Sequence, residues 1–354
     1  MKKLLLIIIS CALILLLTSC KLFLKPEEQE EKEPTPTEGI KYEVSENGEY
    51  ATAVAYYGDD TDIHFLKTYE GVPVTHIASE AFIRHPYITS VTIHSGIQEI
   101  GGMAFYKCSA LTKLTFEKNS TLKIINKYVF QETALESVDI PENVEMIGAL
   151  AFAGCPSLNS IIVPSTTLIG DNAFQNTGYY NNEDNWEDGV LYLGTHLICV
   201  KLEYKGEVII KEGTTTIAGS AFCYRDNVTK VVMPDSVTAI GELAFYQTDL
   251  DEIVLSKNLI YIGFQAFYSS HISSGLIIPK SLKTIEHDAF YYASINRVFY
   301  EGTKIDWNNI EIGSHNDVFE SLEKYGWFYY YSETAPTGPW KYWYYDENGN
   351  PTVW

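Results

Sequence analysis

The sequence predicts a repeat solenoid, mainly β, in which each coil of about 22–23 residues adds one short strand to a parallel ladder. Three observations predict it. A hexapeptide of Ile, a small residue or Gly, two variable residues, Ala and Phe recurs as IASEAF ending at Phe82, IGGMAF at Phe105, INKYVF at Phe130, IGALAF at Phe152, IGDNAF at Phe174, IAGSAF at Phe222, IGELAF at Phe245, IGFQAF at Phe267 and IEHDAF at Phe290. The intervals are 23, 25, 22, 22, 48, 23, 22 and 23 residues. A period held that long means stacked units, because one unit cannot bury its apolar side alone. Between copies lies a β-branched run, such as Leu158 then Ile161-Ile162-Val163-Pro164, or Val228 then Val231-Val232-Met233-Pro234. Runs of this kind, ended by Pro, suit strands of ~3–5 residues.

Ahead of the repeats, Lys2 and Lys3 precede an apolar run from Leu4 to Leu17, and Leu17-Thr18-Ser19-Cys20 closes it with small residues before a cysteine. This resembles the lipobox of bacterial lipoproteins. The resemblance implies that residues 1–19 are a signal peptide, that Cys20 carries the lipid, and that the exported chain is anchored to the outer face of a bacterial membrane. Residues 20–39 contain KLFLKPEEQEEKEPTPTEG, charged and Pro-rich with little to bury, and are expected to be a flexible tether. The apolar run 4–17 is too short for an ordinary spanning helix. A mean hydropathy of -0.07 leaves room for at most one membrane segment.

The solenoid is expected over residues 40–300. At its front, Ala51-Thr52-Ala53-Val54-Ala55-Tyr56 and Ile63-His64-Phe65 can form the first coils. Within a coil, Ile and Phe at fixed register stack on their counterparts, Ala lets backbones approach, and Gly serves the turn. Strands ~4.8 Å apart in about ten coils make a ladder of roughly 50 Å. The 48-residue interval is expected to be a variant coil, 175–215, with a polar loop, a hairpin turning at Gly194 and a strand near Val208-Ile210. Its Asn181, Asn182, Glu183, Asp184 and Asp188 lack EF-hand spacing and suit a solvated loop. Residues 301–354 hold an aromatic-rich stretch from Tyr325 to Trp354 with a hairpin turn at Asn348-Gly349. Such a segment would cap the last coil, whose core and strand edge would otherwise be bare. Cys108 and Cys155 each follow a repeat Phe by three residues, so they are expected as small buried groups, not disulfide partners.

The unit IGALAFAGCPSLNSIIVPSTTLIG resembles the BspA-type leucine-rich repeat of bacterial surface proteins, and the likeness covers about residues 41–300. It departs at INKYVF, where Val129 replaces Ala, and at the 48-residue interval. The resemblance implies a cell-surface adhesion or protein-binding scaffold, non-enzymatic and without a cofactor, whose partner is a host or cell-surface protein. The residues agree: no G-x-S-x-G elbow, HExxH, P-loop or GxGxxG occurs. Glu286-His287-Asp288 is the most suggestive trio, yet it occupies variable positions of the signature and is expected to face solvent. No cysteine pair has CxxC spacing for a metal. Twenty-five Lys+Arg against 46 Asp+Glu, a net charge of -21, would repel a phosphate backbone, so nucleic acid is not an expected partner.

Strand parity places the binding face. First and third residues of each strand recur as Ile, Val or Leu and should point into the core, so the middle residue points out. The middle residues are Thr92, Thr115 and Asp139 in early coils, then Ile162, Val232, Val254, Ile277 and Phe299. Those five apolar residues are the candidate ligand face, expected to be interrupted by the variant coil. Two alternatives stand beside it: the aromatic C-terminal segment folds back over the stripe, or β-branched residues occupy these positions simply for strand propensity; the alternative function is a cell-wall or carbohydrate binding module formed by that aromatic segment.

Overall fold

The computed structural model describes residues 35–338 and 340–354. The expected signal peptide, Cys20 and most of the tether lie outside the described residues. Pro36–Trp354 forms one compact unit, a mainly β solenoid with successive coils in parallel register.

The strand expected from each β-branched run is present. Ser90–Ile93 pairs parallel with Lys113–Phe116, Ser137–Asp139 with Ser160–Ile162, Val228–Val232 with Glu252–Val254, and Leu276–Ile278 with Val298–Tyr300. We refer to this as the outer ladder. Beside it runs a second ladder of two-residue strands that end on the signature Ile. In it Ile77, Ile100, Ile125, Ile147 and Ile169 stand in register, and further along so do Ile217, Ile240, Ile262, Ile285 and Ile312. Two adjacent residues are too short a signal to read as a strand from sequence; only stacking on the neighbouring coil makes them one.

The signature itself bonds coil to coil. The Phe130 N–H donates to the Ala151 carbonyl at 2.7 Å, Phe152 to Ala173 at 2.8 Å and Phe245 to Ala266 at 2.7 Å. This holds the rings in two face-to-face columns. Phe82, Phe105, Phe130, Phe152 and Phe174 follow one another with centroids 4.9–5.4 Å apart, and Phe222, Phe245, Phe267 and Phe290 follow at 4.7–4.9 Å. The residue before the signature Ala takes positive φ in coil after coil, for example Met103 at 58°, Leu243 at 57° and Gln265 at 53°. The turn is therefore made by residues with a Cβ, not by the signature glycine as expected. The glycine answers a different need: a Cβ on Gly148 would lie 2.6 Å from the Lys127 nitrogen of the coil below, where nothing can give way.

The variant coil contains the hairpin Val190–Leu193 and His196–Val200, turning at Gly194 with φ 57°. It separates the Phe columns, and the buried side chains fall into one cluster up to this coil and another beyond it. The strand Gly206–Ile209 then starts a new stretch of the outer ladder, Ile209 opposite Val232.

The solenoid continues past residue 300. Glu311–Ile312 extends the signature ladder, and the outer ladder gains Phe328–Tyr331 and Tyr342–Tyr345, with Pro351–Val353 closing antiparallel. Residues 312–317, IGSHND, are a tenth signature copy with Asn316 in place of Ala and Asp317 in place of Phe. Asn316 ends the column: its Oδ1 accepts from the Phe290 N–H at 2.8 Å, standing in for the next coil's carbonyl. The four cysteines among the described residues carry free thiols. Cys108 and Cys155 are buried and donate to the carbonyls of Phe82 and Phe130 in the preceding coils.

Candidate functional site

Each outward residue stands one position before a strand-end bond to the next coil: Ile140 N–H to Ile162 at 2.9 Å, Ile210 N–H to Val232 at 2.9 Å and Met233 N–H to Val254 at 3.0 Å. The flanking residues, such as Val208 and Ile210 or Val231 and Met233, are buried, so the middle side chains point out. Ile162 is 59% exposed and Val254 40%, whereas Val232 and Ile277 are half-buried. The row is interrupted at the variant coil, as expected: Ser160–Ile162 pairs only with Ser137–Asp139, and Gly206–Ile209 only with Val228–Val232; beyond the interruption Ile209, 70% exposed, adds a residue to the later row in register with Val232. Sequence held that signal, since Val208-Ile209-Ile210 has the same in-out-in parity.

Phe299 leaves the candidate face. It is 4% exposed, stacked on Tyr329 at 5.3 Å and covered by Trp343 at 5.4 Å, with Ile277 packed against the same cluster. The strand Tyr342–Tyr345 carries Trp343 over this end of the row, and the Trp343 Nε1–H donates to the Tyr300 carbonyl at 2.9 Å. Part of the C-terminal aromatic segment thus serves closure: Phe328, Tyr329, Tyr330 and Trp343 are buried, while Tyr325, Trp327, Trp340, Tyr345 and Trp354 are exposed.

Where covering stops, a cleft of about 300 Å³ opens. Val254, Ile277, Phe299 and Glu301 line it together with Tyr345 and Pro351 of the closing hairpin. The Tyr345 hydroxyl donates to Glu301 Oε1 at 2.5 Å; burial, then Glu301, pushes the phenol well above its ordinary range, so it stays a donor. Tyr345, Pro351 and Glu301 were missed from sequence, because no short-range pattern says that a strand near residue 345 returns to residue 254.

A second groove, about 400 Å³, lies along the signature ladder and crosses the variant-coil junction. Met146, Leu168, Tyr261 and Phe264 supply its apolar lining, and Glu99 and Glu242 its carboxylates. Glu242 Oε1 accepts from the Asp171 N–H at 2.9 Å, tying the two halves together. Burial, then Glu286, pushes the Tyr261 phenol up to about 12.

Of the trio Glu286-His287-Asp288, only His287 and Asp288 approach each other, Nδ1 to Oδ2 at 3.8 Å; Asp288 Oδ1 bonds His315 Nδ1 of the next coil at 2.6 Å, His287 lies against the Phe264 ring, and Glu286 faces Tyr261. In the variant-coil loop, Glu183 pairs with Lys201, and Glu187 with Lys211 at 2.7 Å. Among the described residues no three His, Cys, Asp or Glu side chains are placed to hold a metal ion, and no helix is long and apolar enough to cross a membrane. What the surface offers is apolar contact and hydrogen bonding along an extended row.

Six copies of the BspA type leucine rich repeat region match residues 68–182 and 200–314. Among solved structures, the leucine-rich repeat protein of T. pallidum is similar at 18% identity, with 66% of this chain and 87% of that one covered and a TM-score of 0.37. A leucine-rich cell-surface protein from Faecalibacterium prausnitzii gives 22% identity, 78% and 97% coverage and 0.32. The pneumococcal vaccine antigen PcpA gives 18%, 83% and 96%, and 0.35. No curated protein matches. The family match spans well over half of the chain and coincides with the stacked signature copies, so the chain belongs to the BspA-type leucine-rich repeat family.

Proposed function

We propose that this protein is a cell-surface lipoprotein that binds a partner protein, in adhesion, through the outward row of its outer ladder. The observation that carries this reading is the set of outward apolar side chains Ile209, Val232 and Val254, in register on one ladder, with Ile162 and Ile277 at the equivalent positions of the strands on either side, where solvent-facing strand positions ordinarily carry polar residues. Repeat proteins of this family are usually surface or protein-interaction scaffolds. Replacing Val232, Val254 and Ile277 together by Thr keeps β-branched residues in the strands. The triple variant should lose binding to host or cell-surface proteins while its thermal transition stays cooperative; undiminished binding would move the site off this face.

Anchoring rests on Cys20. Cys20→Ser should release the protein from membranes on alkaline extraction, and retention of that variant would refute lipidation at this residue. A cell-wall or carbohydrate role for the aromatic segment draws support from the exposed rings of Tyr325, Trp327, Trp340, Tyr345 and Trp354.

A further inference from the structure

In the first stack the residue before each signature Ile faces away from the core, because the adjacent Ile is buried. These outward residues stand in register as Glu99, Ile124, Met146 and Leu168. In the second stack the same position is Thr216, Ala239, Tyr261, Thr284 and Glu311, so only Tyr261 is large there. Three apolar residues in succession are thus particular to the first stack. None of them belongs to its buried core: Met146 is exposed, and Ile124 and Leu168 are half-buried. Met146 and Leu168 line the groove of about 400 Å³, and Tyr261 and Phe264 line it from the other side of the variant-coil junction.

Carboxylates stand at both ends of this apolar stretch. Glu99 is next in the row, and its Oε1 accepts from Asn126 Nδ2 at 2.7 Å. Glu242 is at the other end, where its Oε1 accepts from the N–H of Asp171, three residues beyond Leu168, at 2.9 Å. Among the described residues both carboxylates are met by neutral donors and by no cation. From the Glu99 strand to the Leu168 strand is three ladder steps of ~4.8 Å, roughly 14 Å. The floor between them offers no backbone pairing, because the Gly148 N–H donates to the Ile125 carbonyl and the Gly170 N–H to the Ile147 carbonyl, both at 2.7 Å. A ligand in this groove is recognised through side chains.

Beyond the outer-row reading, we propose that this groove is a second docking surface, which takes an extended segment of a partner protein with two basic residues flanking an apolar one at alternate positions. In an extended chain, residues i, i+2 and i+4 fall on one side and span ~13 Å. The two basic side chains therefore reach Glu99 and Glu242 while the apolar one lies on Met146. Charge complementarity selects the sign of the flanks, and the net charge of -21 draws basic segments towards the molecule. A small polyamine would meet the carboxylates and leave the apolar row bare. Lys127, the one cation lining the groove among the described residues, opposes a segment that is basic along its whole length.

The test uses the full chain, immobilised, and a labelled decapeptide of glycine and serine with arginine at its third and seventh positions and leucine at its fifth. Glu99→Gln together with Glu242→Gln removes both charges and keeps both acceptor oxygens, so the bond tying the two stacks survives. Met146→Lys, at an exposed position, blocks the row independently. Both variants should bind the peptide about tenfold more weakly than the wild type, and Lys127→Ala about two- to threefold more tightly. The wild type should bind about tenfold more weakly to peptides with glutamate for arginine, serine for leucine, or the two arginines adjacent. Equal binding by the wild type and Met146→Lys, indifference to arginine spacing, or spermidine bound as tightly as the peptide would overturn the proposal. The triple Thr variant of Val232, Val254 and Ile277 should bind the peptide as the wild type does; loss of peptide binding in that variant alone would move the segment to the outer row. Undiminished partner binding by the same variant would count against the outer-row reading and leave the peptide result to decide this groove by itself.

Discussion

Gly148 and Gln265 show how one atom decides two opposite outcomes. A Cβ at Gly148 would meet the Lys127 nitrogen at 2.6 Å, a backbone atom locked in the ladder. Gln265 already bears a Cβ in the left-handed region, at φ 53°, where L-residues pay steric strain. Gly148→Ala should therefore destabilise by ~1–3 kcal/mol, although Ala is the better residue in most contexts. Gln265→Gly should stabilise by ~0.5–1 kcal/mol. Urea unfolding of the two variants checks the pair; equal shifts of the same sign would mean that coil spacing does not constrain the glycine. Burial pushes the Cys108 thiol up to about 11, which fits its use as an internal donor to the Phe82 carbonyl at 3.0 Å and not as a reactive group.

Among the elements, the end of the signature ladder is the informative one. Each Phe N–H needs a carbonyl from the next coil, and at Phe290 the Asn316 side chain supplies it while its Nδ2 donates to the carbonyls of Glu286 and Gly313, both at 2.9 Å. The helix Val318–Tyr325 then lays Phe319 edge-on against the Phe290 ring at 4.9 Å, ending the column. Asn316→Ala restores the residue type of the internal repeats but removes the acceptor. It should cost ~1–3 kcal/mol, the penalty of a buried unpaired N–H, and amide exchange at Phe290 should accelerate ahead of exchange at Phe245. Unchanged protection at Phe290 would show that another acceptor takes over.

At the scale of the whole described molecule, the variant coil makes two stacks out of one, and His196 joins them. It is fully buried, with Nε2 3.0 Å from the Pro164 carbonyl on one side and Nδ1 2.6 Å from Thr216 Oγ1 on the other. A carbonyl only accepts, so Nε2 carries the proton and Nδ1 accepts from the Thr216 hydroxyl. Burial lowers the His196 pKa from 6.5 to about 4. The folded state thus favours the neutral ring: its contribution is complete above pH 6.5, declines as pH falls from 6.5 towards 4, and amounts to about 3 kcal/mol. The stability gap between wild type and His196→Asn should shrink by that order between pH 7 and pH 4, measured by urea denaturation. A gap independent of pH would exclude this ring from the acid response.

The sequence by itself determined the period, the two families of inward residues and the outward parity of the strands, because each recurs at fixed spacing and needs only a neighbouring copy of itself to be satisfied. Ile162, Val232 and Val254 could therefore be placed before any coordinates. Tertiary structure decided what depends on chain segments far apart in sequence or on a single unrepeated residue. Phe299 is covered because Trp343 returns over it; Ile209 joins the later row because its strand stands in register with Val232; His196 bridges two cores that periodicity would have merged.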